Sequence, residues 1–212
     1  MLLIFDEVQT GVHRTGSLYC YQHYGVVPDI MTSAKGLGCG VAIGAVLASD
    51  KVASAISIGD HGSTFGGNTL ACAVALSAMR YMLAHDFSAM AKEKGAYLMG
   101  ALKAIDSDKI VEVRGMGMLI GVQLADSCAA SGLVRKLLER GFVAGTASGN
   151  VLRIAPPLII EKEQTIVGPY ARYAQKYLDV RGSLVEKTIY TVKDARLSVL
   201  DGDEAFRSGE TT

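Results

Sequence analysis

Lys35 is a candidate nucleophile, because two small residues flank it and a short apolar segment precedes it. Its neighbours Ala34 and Gly36 leave room for a bulky group on the ε-amine, and some desolvation would lower the pKa of that amine. These are the conditions under which a lysine attacks a carbonyl group. Most lysines are solvated surface charges, so Lys35 alone does not define a site.

Asp6 is a second candidate, since it follows the apolar run 2–5, which predicts a buried strand. In open α/β sheets, ligands bind beyond the carboxyl ends of the strands. A buried carboxylate there needs a partner, and a protonated pyridine nitrogen would be one, as in a cofactor that acts as an electron sink. The alternative is a structural role, as a helix N-cap or in an ion pair.

The segment 62–68 (Gly-Ser-Thr-Phe-Gly-Gly-Asn) directly precedes a long stretch of apolar and small residues without proline. Backbone amides, hydroxyl groups and a helix N-terminus together form an anion site that would suit a phosphate. The alternative is a glycine-rich turn in which Ser63 or Thr64 caps the helix.

The elements that must position these residues alternate between strands and helices, which predicts an α/β fold with a smaller α+β part. The first part is expected to have strands at 2–5, 30–33 and 42–49. Its expected helices are a short one capped by Asp50, a buried one at 68–84 and one from Asp86 to about residue 105. The residues of the last helix that are expected to face water are Lys92, Glu93, Lys94 and Lys103. The second part is expected to have a hairpin of 110–114 and 118–124, a helix at 129–140, a strand at 151–154 and a helix at 161–177. We therefore predict domains at 1–106 and 107–178, followed by an atypical, partly disordered tail at 179–212.

Charge and cysteine usage exclude several classes of function. The 212 residues contain 21 Lys plus Arg and 21 Asp plus Glu, so net charge indicates neither nucleic acid nor an anionic membrane as partner. Charges or glycines interrupt every apolar run before it reaches the length of a membrane span. The four cysteines form no CxxC pair and no zinc spacing, which predicts no metal site and reduced, mostly buried thiols in a cytoplasmic protein.

Several motifs, all in the same order and spacing, resemble the signature of the class III aminotransferases, and in particular their acetylornithine and ornithine aminotransferase branch. The motifs are Asp6-Glu7-Val8-Gln9-Thr10-Gly11, Arg14-Thr15-Gly16, Pro28-Asp29-Ile30, Ala34-Lys35-Gly36-Leu37-Gly38, His61-Gly62-Ser63-Thr64-Phe65-Gly66-Gly67-Asn68, Val113-Arg114-Gly115-Met116-Gly117 and Leu152-Arg153-Ile154-Ala155-Pro156-Pro157-Leu158. The resemblance covers residues 1 to about 178. It implies fold type I of the pyridoxal-phosphate-dependent transferases, with part of the large-domain sheet and a connecting helix in 1–106 and the small domain after it. It also implies that the family's N-terminal half is absent, so we expect a C-terminal fragment.

The resemblance implies a role for each of four residues around pyridoxal phosphate. Asp6 pairs with the pyridine nitrogen, Val8 packs on one face of the ring, and Gln9 lies near the phenolic oxygen. Lys35 forms the Schiff base with the cofactor and moves the proton between the substrate carbon and the cofactor.

Two further residues are implied to act on the phosphate and the substrate. Thr64 reaches the phosphate of the neighbouring subunit's cofactor, which implies a homodimer. Arg153 binds a substrate carboxylate, a task that suits the guanidinium fork, although a surface ion pair is the alternative.

The implied reaction moves an amino group from N-acetylornithine, or a related ω-amino donor, to 2-oxoglutarate. One alternative is an isomerase like the glutamate-semialdehyde aminomutases, which share the fold and the lysine, although Gly66-Gly67-Asn68 favours the transaminase branch. Another alternative is an inactive fragment of the aminotransferase.

Overall fold

The computed structural model describes residues 1–161, and these form two compact units. The first unit comprises Met1–Tyr97 with Gly115–Leu119, and the second comprises, among the described residues, Leu98–Arg114 and 120–161. Both units combine strands with helices, which confirms the α/β class. The domain boundaries at residues 106 and 178 remain predictions. The helix predicted at 161–177, apart from its first residue, and the tail at 179–212 lie outside the described residues.

The first unit is built on a three-stranded sheet in the order β1-β2-β3. Strand β1 pairs in parallel with β2, so that Asp6 lies opposite Thr32, and β2 pairs antiparallel with β3. The strands are β1 (Ile4–Asp6), β2 (Ile30–Ser33) and β3 (Ala45–Ala48). The second was predicted at its observed bounds, whereas the first begins and ends later than expected and the third is shorter. The prediction that the first strand is buried is wrong, because within residues 1–161 β1 lies at the edge of the sheet and Leu2, Leu3 and Ile4 are exposed.

Three helices complete the first unit and lead into the second. They are α1 (Asp50–Ala53), α2 (Thr69–Ala84) and α3 (Phe87–Lys103). Asn68 caps α2, because its Oδ1 accepts the Ala71 N–H at 2.9 Å, and Asp86 caps α3 by accepting the Ala89 N–H at 3.1 Å. Ser49, not the predicted Asp50, is the N-cap of α1.

The prediction that the helix at 68–84 is buried holds for only part of the surface of α2 within residues 1–161. Its buried residues are Ala71, Ala75 and Met82. Much of its remaining surface is apolar and exposed: Leu70, Leu76, Tyr81 and Leu83. Its composition indicates a buried helix, but within residues 1–161 only part of its surface is covered. The reverse error concerns Lys94 on α3, which is only 8% exposed although it was expected to face water. A lysine can pack its long aliphatic stem against apolar surface.

The second unit is a four-stranded sheet in the order β4-β5-β7-β6 with one helix against it. Its elements are β4 (Ile110–Met116), β5 (Leu119–Leu124), α4 (Ala130–Glu139), β6 (Gly145–Ala147) and β7 (Val151–Ile154). Strand β7 pairs antiparallel with both β5 and β6. The core includes alternate residues of β5 and the apolar stripe of α4: Ile120, Val122, Leu124, Leu133 and Leu137. Strand β6 was not predicted, because Gly-Thr-Ala carries no alternating apolar pattern.

Asn150 joins three elements at one end of this sheet. Its Oδ1 accepts the Ala130 N–H at 2.7 Å, which caps α4, and its Nδ2 donates to the Ala125 carbonyl at 2.8 Å and to the Cys128 carbonyl. These bonds fix the start of β7, the strand that carries Arg153.

In the first unit, three backbone segments meet at a close junction, called here the glycine junction. It consists of Gly95 on α3, Gly117 between β4 and β5, and the loop Arg14-Thr15-Gly16. A Cβ on Gly95 would lie 2.9 Å from the Gly117 Cα and nearer still to its carbonyl oxygen, and one on Gly117 would lie 2.7 Å from the Arg14 carbonyl oxygen. The Met118 N–H donates to that Arg14 oxygen at 2.9 Å, and Arg14 Nη1 donates back to the Met118 carbonyl at 3.2 Å. Only glycine allows approaches this close, which explains Gly95 and also Gly117, a glycine of the recognised motifs.

Candidate active site

Asp6 lies at the carboxyl end of one strand, and Lys35 lies just beyond the carboxyl end of the neighbouring parallel strand. Asp6 is the last residue of β1, and Lys35 begins a short 3₁₀ turn, Lys35–Leu37, two residues after β2. Because β1 and β2 run in the same direction, these ends meet at one edge of the sheet, where ligands bind in α/β proteins. Helix α2 contacts the turn that carries Lys35.

The Asp6 carboxylate is held by two hydrogen-bond donors. Its Oδ1 accepts the Val8 N–H and the Thr32 hydroxyl, each at 3.0 Å. The bond from Val8, and after it the bond from Thr32, hold the pKa of Asp6 below its ordinary value. Burial opposes this lowering, and the charge of Lys35 adds the smallest contribution to it. The carboxylate is therefore ionised at neutral pH. It is exposed and not buried as predicted, because β1 lies at the edge of the sheet in the described part of the chain.

Lys35 has a left-handed backbone conformation, with φ of +48°. Such a conformation costs a residue with a side chain on the order of 1–3 kcal/mol, and residues of this kind cluster at functional sites. The side chain is exposed, so the expected desolvation of Lys35 is not found. Gly36 was expected to leave room for a group on the Lys35 amine, but its surroundings give another reason for a glycine. A Cβ at Gly36 would lie 3.2 Å from Cβ and Cγ1 of Val12. The small residue after Lys35 therefore accommodates Val12.

Glu7 fixes the loop that follows Asp6, and sequence reasoning missed this role. Its side chain is 3% exposed, and it accepts the Tyr21 N–H at 2.7 Å and the Thr10 hydroxyl at 2.5 Å. The sequence does contain a signal for this role, because Glu7 stands three residues before Thr10 in a loop that reaches Gly11. Val8 and Gln9 are half-buried in this loop beside Asp6, and their cofactor roles remain predictions.

His13 is a buried titratable residue that sequence reasoning also missed. It is 3% exposed, its Nδ1 lies 2.8 Å from the Ser88 Oγ, and its Nε2 has no hydrogen-bond partner within residues 1–161. Burial lowers the pKa of His13, and the charge of Asp86 opposes that effect. Val12 and His13 both have positive φ, 51° and 63°, so the backbone that packs Val12 on Gly36 is strained.

The segment 62–68 is exposed and leads directly into α2. Its cap is Asn68, so the alternative in which Ser63 or Thr64 caps the helix is wrong. Thr64 is exposed, and its contact with a phosphate remains a prediction.

Arg153 lies in the second unit, on β7 between two glycines of the neighbouring strands. Gly121 of β5 and Gly145 of β6 are its partners in the register. The side chain is half-buried. Within residues 1–161 the guanidinium has no hydrogen bond or ion pair, and the ion pair of this sheet joins Arg114 and Glu112. The alternative, a surface ion pair of Arg153, thus has no partner in this part of the chain, and carboxylate binding remains a prediction.

Three observations bear on the other predictions. Over the described ranges, no group of three or more His, Cys, Asp or Glu residues is placed to hold a metal ion. No helix among these residues has the length and apolar character to cross a membrane. The cysteines are free, but the expectation that most are buried is wrong, since Cys128 is buried whereas Cys39 and Cys72 are exposed.

Comparison with known proteins identifies the family. The model of the class III aminotransferases matches residues 1–168, and the chain belongs to this family, which is pyridoxal-phosphate-dependent. The acetylornithine aminotransferase of Methanocaldococcus jannaschii is 48% identical over 167 residues, which cover 77% of this chain and 41% of the relative. The succinylornithine transaminase of Yersinia pseudotuberculosis is 46% identical over 167 residues, covering 77% of this chain and 40% of the relative. The chain thus spans about two fifths of the length of these relatives.

Solved structures confirm the predicted fold type. The acetylornithine aminotransferase of Elizabethkingia anophelis has a TM-score of 0.76 and 38% identity, covering 84% of this chain and 45% of that one. The ornithine δ-aminotransferase of Plasmodium falciparum has a TM-score of 0.77 and 35% identity, covering 84% of this chain and 49% of that one. The fold is therefore that of the fold type I transferases.

Proposed function

We propose that this chain carries the cofactor lysine of an aminotransferase that moves an amino group from N-acetylornithine, or a related ω-amino donor, to 2-oxoglutarate. The observation that carries the proposal is the placement of Asp6 and Lys35 at the ends of adjacent parallel strands. The names of the relatives, acetylornithine aminotransferase and succinylornithine transaminase, support this class of donor.

The residues present fit pyridoxal phosphate. Asp6 is ionised, held in place by two donors and exposed, so it can accept a hydrogen bond from a protonated pyridine nitrogen. The exposed amine of Lys35 can reach a carbonyl group. The amides and hydroxyls of 62–68 and the N-terminus of α2 suit a phosphate. When bound, the cofactor supplies an electron sink for the bonds at the substrate's amine-bearing carbon.

Lys35 then has two tasks. Its ε-amine would hold the cofactor in place. The same nitrogen would act as the base that takes a proton from the substrate carbon bearing the amine and as the acid that gives the proton back. The carboxylate of Asp6 would keep the pyridine nitrogen protonated, because its lowered pKa keeps the carboxylate ionised.

Arg153 and Thr64 complete the proposal. The guanidinium of Arg153 binds a substrate carboxylate through paired N–H donors. Thr64 binds the phosphate at the partner subunit's site, so the active assembly is a homodimer. Its other partners are amino acids and 2-oxo acids in the cytoplasm, and nucleic acid is not among them.

A covalent label at Lys35 tests the cofactor assignment. The purified chain is mixed with pyridoxal phosphate, the absorbance of a lysine-bound cofactor is recorded, and the adduct is reduced with borohydride and located by peptide mass. We expect the label on Lys35 and its loss in Lys35→Arg, whereas Lys51→Arg, which changes an exposed lysine of α1, should keep it. Absence of the band in the unmodified chain would favour the inactive fragment.

The reaction itself separates the remaining alternatives. Glutamate formed from 2-oxoglutarate in the presence of N-acetylornithine indicates transamination. An aminomutase would instead rearrange its own substrate without an external acceptor. A chain that binds cofactor at Lys35 but performs neither reaction would contradict the proposed activity and keep the cofactor site.

A further inference from the structure

Gly145 has no conformational reason to be glycine. It lies at the start of the short strand β6, and its φ is outside the left-handed region that favours glycine. A glycine in a strand weakens the strand, because it adds no side-chain contacts and loses more freedom on folding. Such a glycine often marks a place where another group approaches the backbone closely.

The group that approaches Gly145 is the guanidinium of Arg153. A Cβ on Gly145 would lie 3.2 Å from Nη2, 3.5 Å from Nε and 3.7 Å from Cζ of Arg153. The guanidinium group therefore lies across the backbone of β6, in the space that any other residue type would occupy. The register explains the contact, since Gly145 is the cross-strand partner of Arg153.

We propose that Gly145 is a positioning residue, which holds the Arg153 guanidinium in a fixed plane and so sets the place where a substrate carboxylate binds. The proposal rests on the proposed function, in which Arg153 is the carboxylate ligand. A guanidinium supported on one side by the strand loses less freedom when it binds an anion. Its donors have no hydrogen-bond or ion-pair partner within residues 1–161, so they are available to the two oxygens of a carboxylate.

The chain offers a matched control at Gly121, the cross-strand partner of Arg153 on the other side. A Cβ on Gly121 would also meet its nearest atom at 3.2 Å, but that atom is Cγ1 of Val151, and no atom of Arg153 is among its nearest neighbours. Gly121→Ala thus introduces a clash of the same size in the same sheet without touching the guanidinium.

Carboxylate binding is measured without cofactor, so that the result does not depend on catalysis. The 212-residue chain in dilute solution is titrated with 2-oxoglutarate by calorimetry, and the side-chain Nε–H resonance of Arg153 is followed by NMR in ¹⁵N-labelled protein. Arg153→Gln should weaken binding by about 10-fold or more, as expected when a charged hydrogen-bond pair is lost. Gly145→Val should weaken it by a similar factor, and Gly121→Ala by less than about 2-fold.

The fold should survive these changes, because valine favours strands and the group that must move is the end of a flexible side chain. The melting temperature checks this. If Gly145→Val is unfolded, Gly145→Ala decides, since it shifts the guanidinium by only a few tenths of an ångström and should still weaken binding and move the Arg153 resonance.

Equal affinity of Gly145→Val and the unmodified chain would overturn the positioning role, as would an equal loss in Gly121→Ala. Failure of the unmodified chain to bind 2-oxoglutarate through Arg153 would also overturn it. In each of these cases the borohydride label at Lys35 remains an independent test, so failure of this inference is distinguishable from failure of the proposed function.

Discussion

Replacement of Gly95 by alanine should destabilise the first unit, because the glycine junction leaves no space for a Cβ. The new atom would lie 2.9 Å from the Gly117 Cα and closer to its carbonyl oxygen, and these backbone atoms cannot rotate away. Overpacking of this kind costs about 1–3 kcal/mol. Separation of the segments would also weaken the two hydrogen bonds between Arg14 and Met118, each worth about 1 kcal/mol.

Alanine at position 95 also has a favourable effect, since it is better than glycine in a helix by about 1 kcal/mol. We therefore expect a net loss of about 2–4 kcal/mol in the free energy of unfolding, which is a shift of about 1–2 M in the urea midpoint. Gly100→Ala is the control on the same helix, because no atom lies within 4 Å of a Cβ at Gly100. It should gain about 1 kcal/mol from helix propensity alone.

Urea titrations followed by far-UV circular dichroism, in dilute solution, compare the two variants. If Gly95→Ala proves as stable as Gly100→Ala, the close approach at the glycine junction is wrong. A loss of stability in both variants would show that alanine is unfavourable in α3 for another reason, and would equally refute the steric argument.

Lys35→Ala should abolish the absorbance band of bound pyridoxal phosphate, because no amine remains to hold it; an unchanged spectrum would contradict the assignment. Asp6→Asn should keep cofactor binding but slow the half-reaction with acetylornithine by about 10²-fold or more, as measured by stopped-flow absorbance, and an unchanged rate would exclude the pairing. Burial lowers the pKa of His13 in the folded protein, so folding favours the neutral imidazole. The free energy of unfolding should therefore keep its full value above about pH 6.5 and fall as the pH drops from there toward the lowered pKa of His13. The slope should be at most about 1.4 kcal/mol per pH unit. His13→Asn, which tolerates positive φ, should flatten that dependence in unfolding experiments at several pH values. Leu76→Glu combined with Leu83→Gln should reduce concentration-dependent association in size-exclusion chromatography, since both leucines are exposed on α2; equal association would show that another surface is responsible.

The elements that the sequence predicts best are those with a strong local pattern. Strands β2 and β7 occur at their predicted bounds, and α2 begins directly after its predicted first residue, because Asn68 is a strong N-cap before a long apolar stretch. The placement of Asp6 and Lys35 at strand ends also follows from local pattern, since both follow short apolar runs. Their placement at the same edge of the sheet depends on the parallel pairing of β1 with β2, which no pattern in the sequence predicted.

Burial could not be predicted, because residue type indicates what a segment prefers and not what covers it. The residue type predicts that Leu2 and Leu70 are buried, but both are exposed. It predicts that Lys94 is exposed, but Lys94 is buried. The contact of Val12 with Gly36 and the space that Gly145 leaves for Arg153 depend on tertiary approach, and no spacing in the sequence encodes them.

The bond between Arg14 and Met118 has a consequence for the order in which the molecule folds. These residues are 104 positions apart in the chain. A contact of that separation forms only after a long loop has closed, and contacts of this kind are made late and slowly. The loop that begins at Asp6 and ends in the glycine junction should therefore stay mobile until the turn between β4 and β5 has docked. In pulse-labelled hydrogen exchange, we expect the amide of Met118, which donates to the Arg14 carbonyl, to gain protection in a late phase, after the helix amides of α2.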